Sequence, residues 1–178
     1  MAYCSSHVAE AGVGRTRSVG STWDEVARLH FTRVYRHAYR LTGNRTDAED
    51  LTQEVFVRVF RNLAGFTPGS FEGWMYRITT NLFLDWVRRR RRIRLEPLTD
   101  TVHLAGGLTP EQEFEVRTFE PDLRSALGCL APGFLAVVIL HDVDGFTYDE
   151  IAMALGIQPG TVASRLHRAR AQLRAALS

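Results

Sequence analysis

Arg77, Asn81, Asp85 and Arg88 are spaced by four, four and three residues, so on a helix they share one face, beside Tyr76, Thr80 and Phe83. Hydrogen-bonding side chains next to aromatic rings suit unpaired bases, which stack on rings and expose their pairing edges. Directly after them, Arg88, Arg89, Arg90, Arg91, Arg92 and Arg94 put six arginines into seven residues. Such a run neutralises phosphates and releases counterions, giving salt-dependent affinity without base specificity. Each signal also has a plainer reading: core aromatics beside a surface ion pair, and cations complementing a helix C-terminus. The grouping, more than any one residue, points to nucleic acid.

A second constellation lies near the C-terminus, in PGTVASRLHRARAQLRAAL, where no acid follows Pro159. Val162, Leu166, Ala169 and Leu173 recur at helical spacing and are assigned to the core. That leaves Thr161, Ala163, Ser164, His167 and Arg168 to face DNA; the candidate DNA-binding set also takes in Gly160, Arg165 and Arg170 of the same helix. Upstream, Thr147 and Glu150 form a capping box ahead of Ile151, Ala152 and Leu155, and Gly156 stops that short helix. Pro159 suits the first turn of the next helix, where its missing N–H would have had no partner. Short helix, tight turn and longer helix make a helix-turn-helix, whose second helix enters the major groove. A solvated basic helix capping a bundle is the alternative; the turn, the one-sided charge and the small residues at the N-terminal end favour DNA.

These residues need scaffolds. Residues 1–21, rich in Ser, Gly and small side chains, read as a disordered leader. From Thr22 to about Thr42, Trp23, Val26, Leu29, Val34, Ala38 and Leu41 mark a first helix, ended by Gly43-Asn44. Thr46 and Glu49 have the spacing of a capping box for a second helix, whose stripe is Leu51, Val55, Phe56, Val59, Phe60 and Leu63. Residues 64–70 (AGFTPGS) form a loop with the apolar Phe66 inside it, and Ser70 can cap a third helix with Phe71, Trp74, Ile78, Leu82 and Trp86 on one side. Between Glu96 and Asp122, seven acids face the single base Arg117 among Pro and Gly residues, which reads as a linker. The expectation is an all-α chain with a bundle over 22–95, an acidic linker over 96–121 and a helix-turn-helix unit over 122–178, which includes an apolar helix from Phe134 to Leu140.

Composition narrows the function classes. The chain has 178 residues, 45% hydrophobic, with a net charge of +2 that averages over blocks of opposite sign; all 22 basic residues are arginine. No apolar run approaches the roughly 20 residues that span a bilayer, so a cytoplasmic protein without membrane insertion is expected. Cys4 and Cys129 lie far apart, without metal-ligand spacing. His141-Asp142 invites a metal reading and Asp142, Asp144 and Gly145 a calcium loop, but Asp149 and Glu150 do not complete that spacing. With no nucleophile arrangement and no phosphate-binding glycine loop, neither an enzyme nor a cofactor is expected.

The segments DAEDLTQEVFVRVF, FEGWMYRITTNLFLDWVRRRRR and FTYDEIAMALGIQPGTVASRLHRAR, in this order, resemble the corresponding stretches of extracytoplasmic-function (ECF) sigma factors, over about Trp23 to Leu177. The resemblance implies that the first bundle holds and melts the minus-ten promoter element and that the helix-turn-helix binds the minus-thirty-five element. It implies docking of Asp47, Asp50, Gln53 and Glu54 on the clamp helices of the polymerase largest subunit, with a further contact to the flap of the second-largest subunit. It makes the Phe66 loop and Asn81 parts of a pocket for a flipped base, sends the linker through the polymerase channels, and brings in an anti-sigma factor as a partner. Two positions depart from the family pattern: Ala163 stands where a basic residue is usual, and Leu135 where Arg is common. A stand-alone helix-turn-helix regulator and a plain protein-interaction module are the competing readings; neither accounts for the arginine-rich aromatic bundle.

Overall fold

A computed structural model describes residues 19–62, 70–93 and 119–178. Among these it has seven α-helices and no strand: α1 (Val19–Thr42), α2 (Arg45–Asn62), α3 (Phe71–Ile93), α4 (Pro121–Gly128), α5 (Pro132–Val138), α6 (Tyr148–Leu155) and α7 (Pro159–Ala176), with a π-helical turn at Ile139–Val143 between α5 and α6. The all-α expectation holds. The Phe66 loop and most of the acidic linker lie outside the described residues.

Helices α1, α2 and α3 pack on one another. Their shared core is Val34, Tyr35, Ala38 and Leu41 from α1, Ala48, Leu51, Val55 and Val59 from α2, and Met75 and Leu82 from α3. Phe31 extends it by stacking against Tyr35 and Phe56, with centroids 6.2 and 6.0 Å away. Burying each large aliphatic side chain contributes about 1.5–3 kcal/mol, which is what holds helices this short in register. Two apolar residues of the expected stripes point outward instead: Leu29 is 66% and Phe60 51% exposed.

Two local expectations need correction. Residues 19–21, assigned to the leader, are the first turn of α1; small polar residues are tolerated there because first-turn N–H groups have no intrahelical partner in any case. The Thr46–Glu49 capping box does not form. Helix α2 already starts at Arg45, so Thr46 lies inside it, and the Asn44 side chain accepts the Asp47 N–H at 2.9 Å. Glu49 is drawn instead to Arg45 Nε, 2.8 Å away. Asn and Thr are both good caps, and the one that lies outside the helix won.

At α3, Ser70 Oγ accepts the Gly73 N–H at 3.1 Å, as its position suggests. The C-terminal unit begins with α4, a helix that periodicity did not reveal; Pro121 at its first turn and Asp122 beside the positive end are the local signals for it. The expected apolar helix at Phe134 to Leu140 starts two residues earlier, at Pro132, and runs into the π-helical turn. The second capping box is fully formed: Thr147 Oγ1 accepts the Glu150 N–H at 3.3 Å and Glu150 accepts the Thr147 N–H at 2.8 Å. The Thr147 N–H and the Thr147 hydroxyl, both donating to its side chain, hold the Glu150 carboxyl below its usual range. Gly156 ends α6 with φ +63°, a left-handed conformation that disfavours any side chain. Thr147→Ala is therefore expected to destabilise the C-terminal unit by about 1 kcal/mol, read as a lower melting temperature in circular dichroism without loss of helix at 20 °C or so.

Helix α3 is buried on more than one side, because α5 and α6 pack on it as well as α1 and α2. This is why Tyr76, Thr79, Thr80 and Phe83 are buried alongside Met75 and Leu82.

Candidate nucleic-acid interface

Three surfaces carry the candidate residues. On α2, Asp50 and Gln53 are exposed and Glu54 is partly exposed, its carboxylate accepting Arg58 Nε at 3.1 Å. Asp47 belongs to the same stretch but is already engaged. Its two oxygens accept Arg90 Nη1 and Nη2 at 2.7 and 2.6 Å, and Asn44 adds a bond at 2.9 Å. The Arg90 guanidinium holds the Asp47 carboxyl below the usual carboxylate range and is itself held more firmly protonated. It also sits 5.6 Å from the centre of the Trp86 ring. One arginine of the basic block is thus a strap between α3 and the start of α2.

The sign of the pH effect follows from that shift. A carboxyl whose folded pKa is depressed stabilises the fold above its unfolded pKa, near 3.9, and loses that contribution as pH falls through the lower folded value. The melting temperature is expected to stay flat on this account from neutrality to about pH 5 and to fall below about pH 4. Asp47→Asn should flatten part of that acid slope, measured by thermal melts across the range.

On α3, the structure separates residues that the spacing groups. Arg77 and Arg89 are exposed, and Arg88 Nη1 donates to Asp85 at 2.9 Å in a surface pair. Asn81 is half-buried, and its Nδ2 donates to the Ala154 carbonyl of α6 at 2.9 Å. Thr80 is fully buried and donates to the Tyr76 carbonyl at 2.9 Å, so it lines the interior and not the surface of this face. Phe66 and the Arg91 side chain lie outside the described residues.

On α7, Val162, Leu166 and Ala169 are buried and Leu173 is partly buried, as the spacing requires. Opposite them, Gly160, Ser164, His167 and Arg168 are exposed, with Thr161 and Ala163 at the edges. Ser164 Oγ donates to the Thr161 carbonyl at 3.0 Å, leaving its oxygen lone pairs free to accept. Two other candidates hold the helix in place. The Arg165 guanidinium lies over Gly133, where an added Cβ would come within 3.3 Å of Nη1. Arg170 pairs with Asp142 through Nε at 3.1 Å and through Nη2, which keeps it firmly protonated. Sequence reading missed this positioning role of Asp142; the signal available was an acid 28 residues before a base, which has no local period. His141 Nδ1 is spent on the Phe146 carbonyl at 2.7 Å, and among the described residues no group of three or more His, Cys, Asp and Glu side chains could hold a metal.

The order of these surfaces along the chain matches known proteins. Residues 26–93 match the family model for sigma-70 region 2, and residues 122–173 that for sigma-70 region 4. The ECF RNA polymerase sigma factor SigW of Bacillus subtilis is 30% identical over 160 residues, which cover 84% of this chain and 86% of that protein. The chain belongs to the ECF sigma factor family.

This sigma factor is also 54% identical over 155 residues to the ECF RNA polymerase sigma factor SigE of Mycolicibacterium smegmatis; the match takes in 86% of this chain and spans 60% of that relative's length. Among solved structures it is similar to the sigma factor RpoE of Bartonella quintana, determined in complex with the anti-sigma factor NepR, with a TM-score of 0.66 and 26% identity over 88% of this chain and 97% of that one. The region 2 match contains the α2 and α3 surfaces and the region 4 match contains the α7 surface. No helix among the described residues is long and apolar enough to cross a membrane.

Proposed function

We propose that this sigma factor binds core RNA polymerase, directs it to specific promoters and helps to open the DNA there. The observation that carries the reading is the presence in one chain, in order, of an acidic exposed face on α2, a polar and arginine-rich end on α3, and an exposed Ser164, His167 and Arg168 strip on the second helix of a helix-turn-helix. In this reading residues 22–95 dock on the polymerase clamp helices through Asp50, Gln53 and Glu54 and take the minus-ten element, with Asn81, Arg77, Arg88 and Arg89 on the DNA side. Residues 122–178 take the minus-thirty-five element and meet the flap. Arginine suits both tasks, since its planar fork pairs with phosphate and with guanine edges. Asp47 and Arg90 shape the docking face by pairing with each other.

The likeness to a sigma factor crystallised with its anti-sigma factor supports control of the same kind, by a protein that covers the polymerase-binding surfaces. The reading is tested by mixing the purified full chain with sigma-free core polymerase and following both by size-exclusion chromatography. Co-elution in a stable complex supports it. Separate elution, with duplex DNA binding retained, would replace it with a stand-alone helix-turn-helix regulator.

A further inference from the structure

Between α3 and the segment that runs from α4 to α5, the side chains leave a cavity of about 240 Å³. Phe83, Trp86 and Val87 of α3 form one apolar wall, and Leu127, Leu130 and Leu135 form another. Protein interiors are close-packed and leave few voids larger than a water molecule. A dry cavity of about 150 Å³ already admits benzene. This one therefore has room for a single ring, or a short alkyl chain, that carries a polar head.

Its charged lining is unbalanced. Arg40, Arg90 and Arg124 all line the cavity, against one acid, Asp47. Arg90 is paired with Asp47, and Arg40 Nη1 donates at 2.9 Å to Asp144, which also holds His37 Nδ1 at 2.7 Å. Arg124 is half-buried, and its hydrogen-bond partner among the described residues is the Phe119 carbonyl, 3.3 Å from Nη2. Two carboxylates thus answer two of the three guanidiniums, and a charge drawn partly out of water without a counter-ion is costly. A second donor is also left over: Arg40 Nε, in a side chain only 15% exposed, is buried and meets no acceptor among the described residues. Buried polar atoms ordinarily find a partner, so each exception asks for one.

We propose that this cavity is a binding site for a small amphipathic monoanion, an aryl or alkyl carboxylate. Its apolar body lies between Trp86 and the leucines of the facing wall, and its carboxylate accepts hydrogen bonds from Arg124 and Arg40 Nε. A guanidinium fork matches a carboxylate in geometry as well as in charge. One negative charge balances the one guanidinium that lacks a counter-ion; a neutral ligand leaves it unpaired. Neither Arg40 nor Arg124 is assigned to polymerase docking or to DNA, so the site stands independently of the promoter reading.

The test titrates the full chain with benzoate, 3-phenylpropionate and hexanoate at neutral pH, each beside its uncharged amide, by isothermal titration calorimetry. At least one acid is expected to bind at a single site and roughly tenfold more tightly than its amide, the least that a charge-assisted hydrogen bond contributes. The indole N–H resonance of Trp86, assigned with Trp86→Phe, should shift saturably with that acid. Arg124→Gln is expected to remove most of the difference between acid and amide, and Leu127→Phe, which fills the cavity, to abolish binding of both. Circular dichroism establishes that each variant is folded; Arg124→Gln alters only a half-buried side chain and keeps the test decisive should Leu127→Phe fail to fold. Absence of saturable binding by all three acids would overturn the proposal. So would equal binding of acid and amide, or an acid preference unchanged in folded Arg124→Gln.

Discussion

Asp50→Arg is expected to weaken association with core RNA polymerase at least tenfold while leaving the fold intact. Asp50 is exposed on α2 and is flanked by Gln53 and Glu54 on the face assigned to docking. Bringing like charges together at an interface costs several kcal/mol, and about 1.4 kcal/mol already changes affinity tenfold. On the free protein the same substitution touches little: surface changes of this kind stay within about 0.5 kcal/mol. Some of that cost comes from the nearby Arg90, whose charge Asp50 helps to offset. Glu54→Arg should act in the same direction, with an added local cost from the lost pair with Arg58. Asp47→Arg would be a poorer test, because it breaks the strap to Arg90 and mixes docking with stability. Affinity is measured by titrating labelled protein with core polymerase, and folding by thermal melts; normal affinity in a folded variant would remove the docking assignment.

Arg168→Ala is the second large effect. Arg168 is exposed on α7 beside Ser164 and His167, and its neighbours Leu166 and Ala169 anchor the helix from the opposite side. A base-reading arginine contributes about 1–3 kcal/mol of discrimination, so upstream-element binding is expected to fall roughly 5- to 150-fold, with polymerase association unchanged. Arg170→Ala should behave differently. Its partner Asp142 would be left without its counter-ion at the helix edge, and the expected result is a less well positioned helix and a lower melting temperature as well as weaker DNA binding. Loss of both DNA and polymerase binding in Arg168→Ala would make that residue structural and undo the division of labour between the two units.

Much of this architecture is legible in the sequence because it is local. The Thr147–Glu150 box, the Gly156 stop and the Pro159 start each depend on residues within one turn, and the buried face of α7 follows from its period. What escaped the sequence is of two kinds. At the start of α2, Asn44, which the sequence reading used only to end α1, takes the capping bond expected two residues later at Thr46. The larger gap concerns pairs far apart in the chain. Nothing in a run of arginines singles out Arg90 as the partner of Asp47, 43 residues away. Nor does any period link Asp144 to His37 across 107 residues, or Asn81 to Ala154 across 73. Thr80 is misplaced for a similar reason: its spacing puts it beside Asn81, but its hydroxyl lies 2.8 Å from His37 Nε2 of α1, 43 residues away, and belongs to the interior.

The central claim, that this chain gives RNA polymerase its choice of promoter, is tested most directly by run-off transcription. Sigma-free core polymerase is incubated with a pool of genomic promoter fragments, with and without the full chain, and the transcripts are mapped at their 5′ ends. The account predicts new, discrete start sites that appear only with the chain and disappear with Arg168→Ala. Transcription indistinguishable from core polymerase alone, under conditions where a known sigma factor supports initiation, would contradict it.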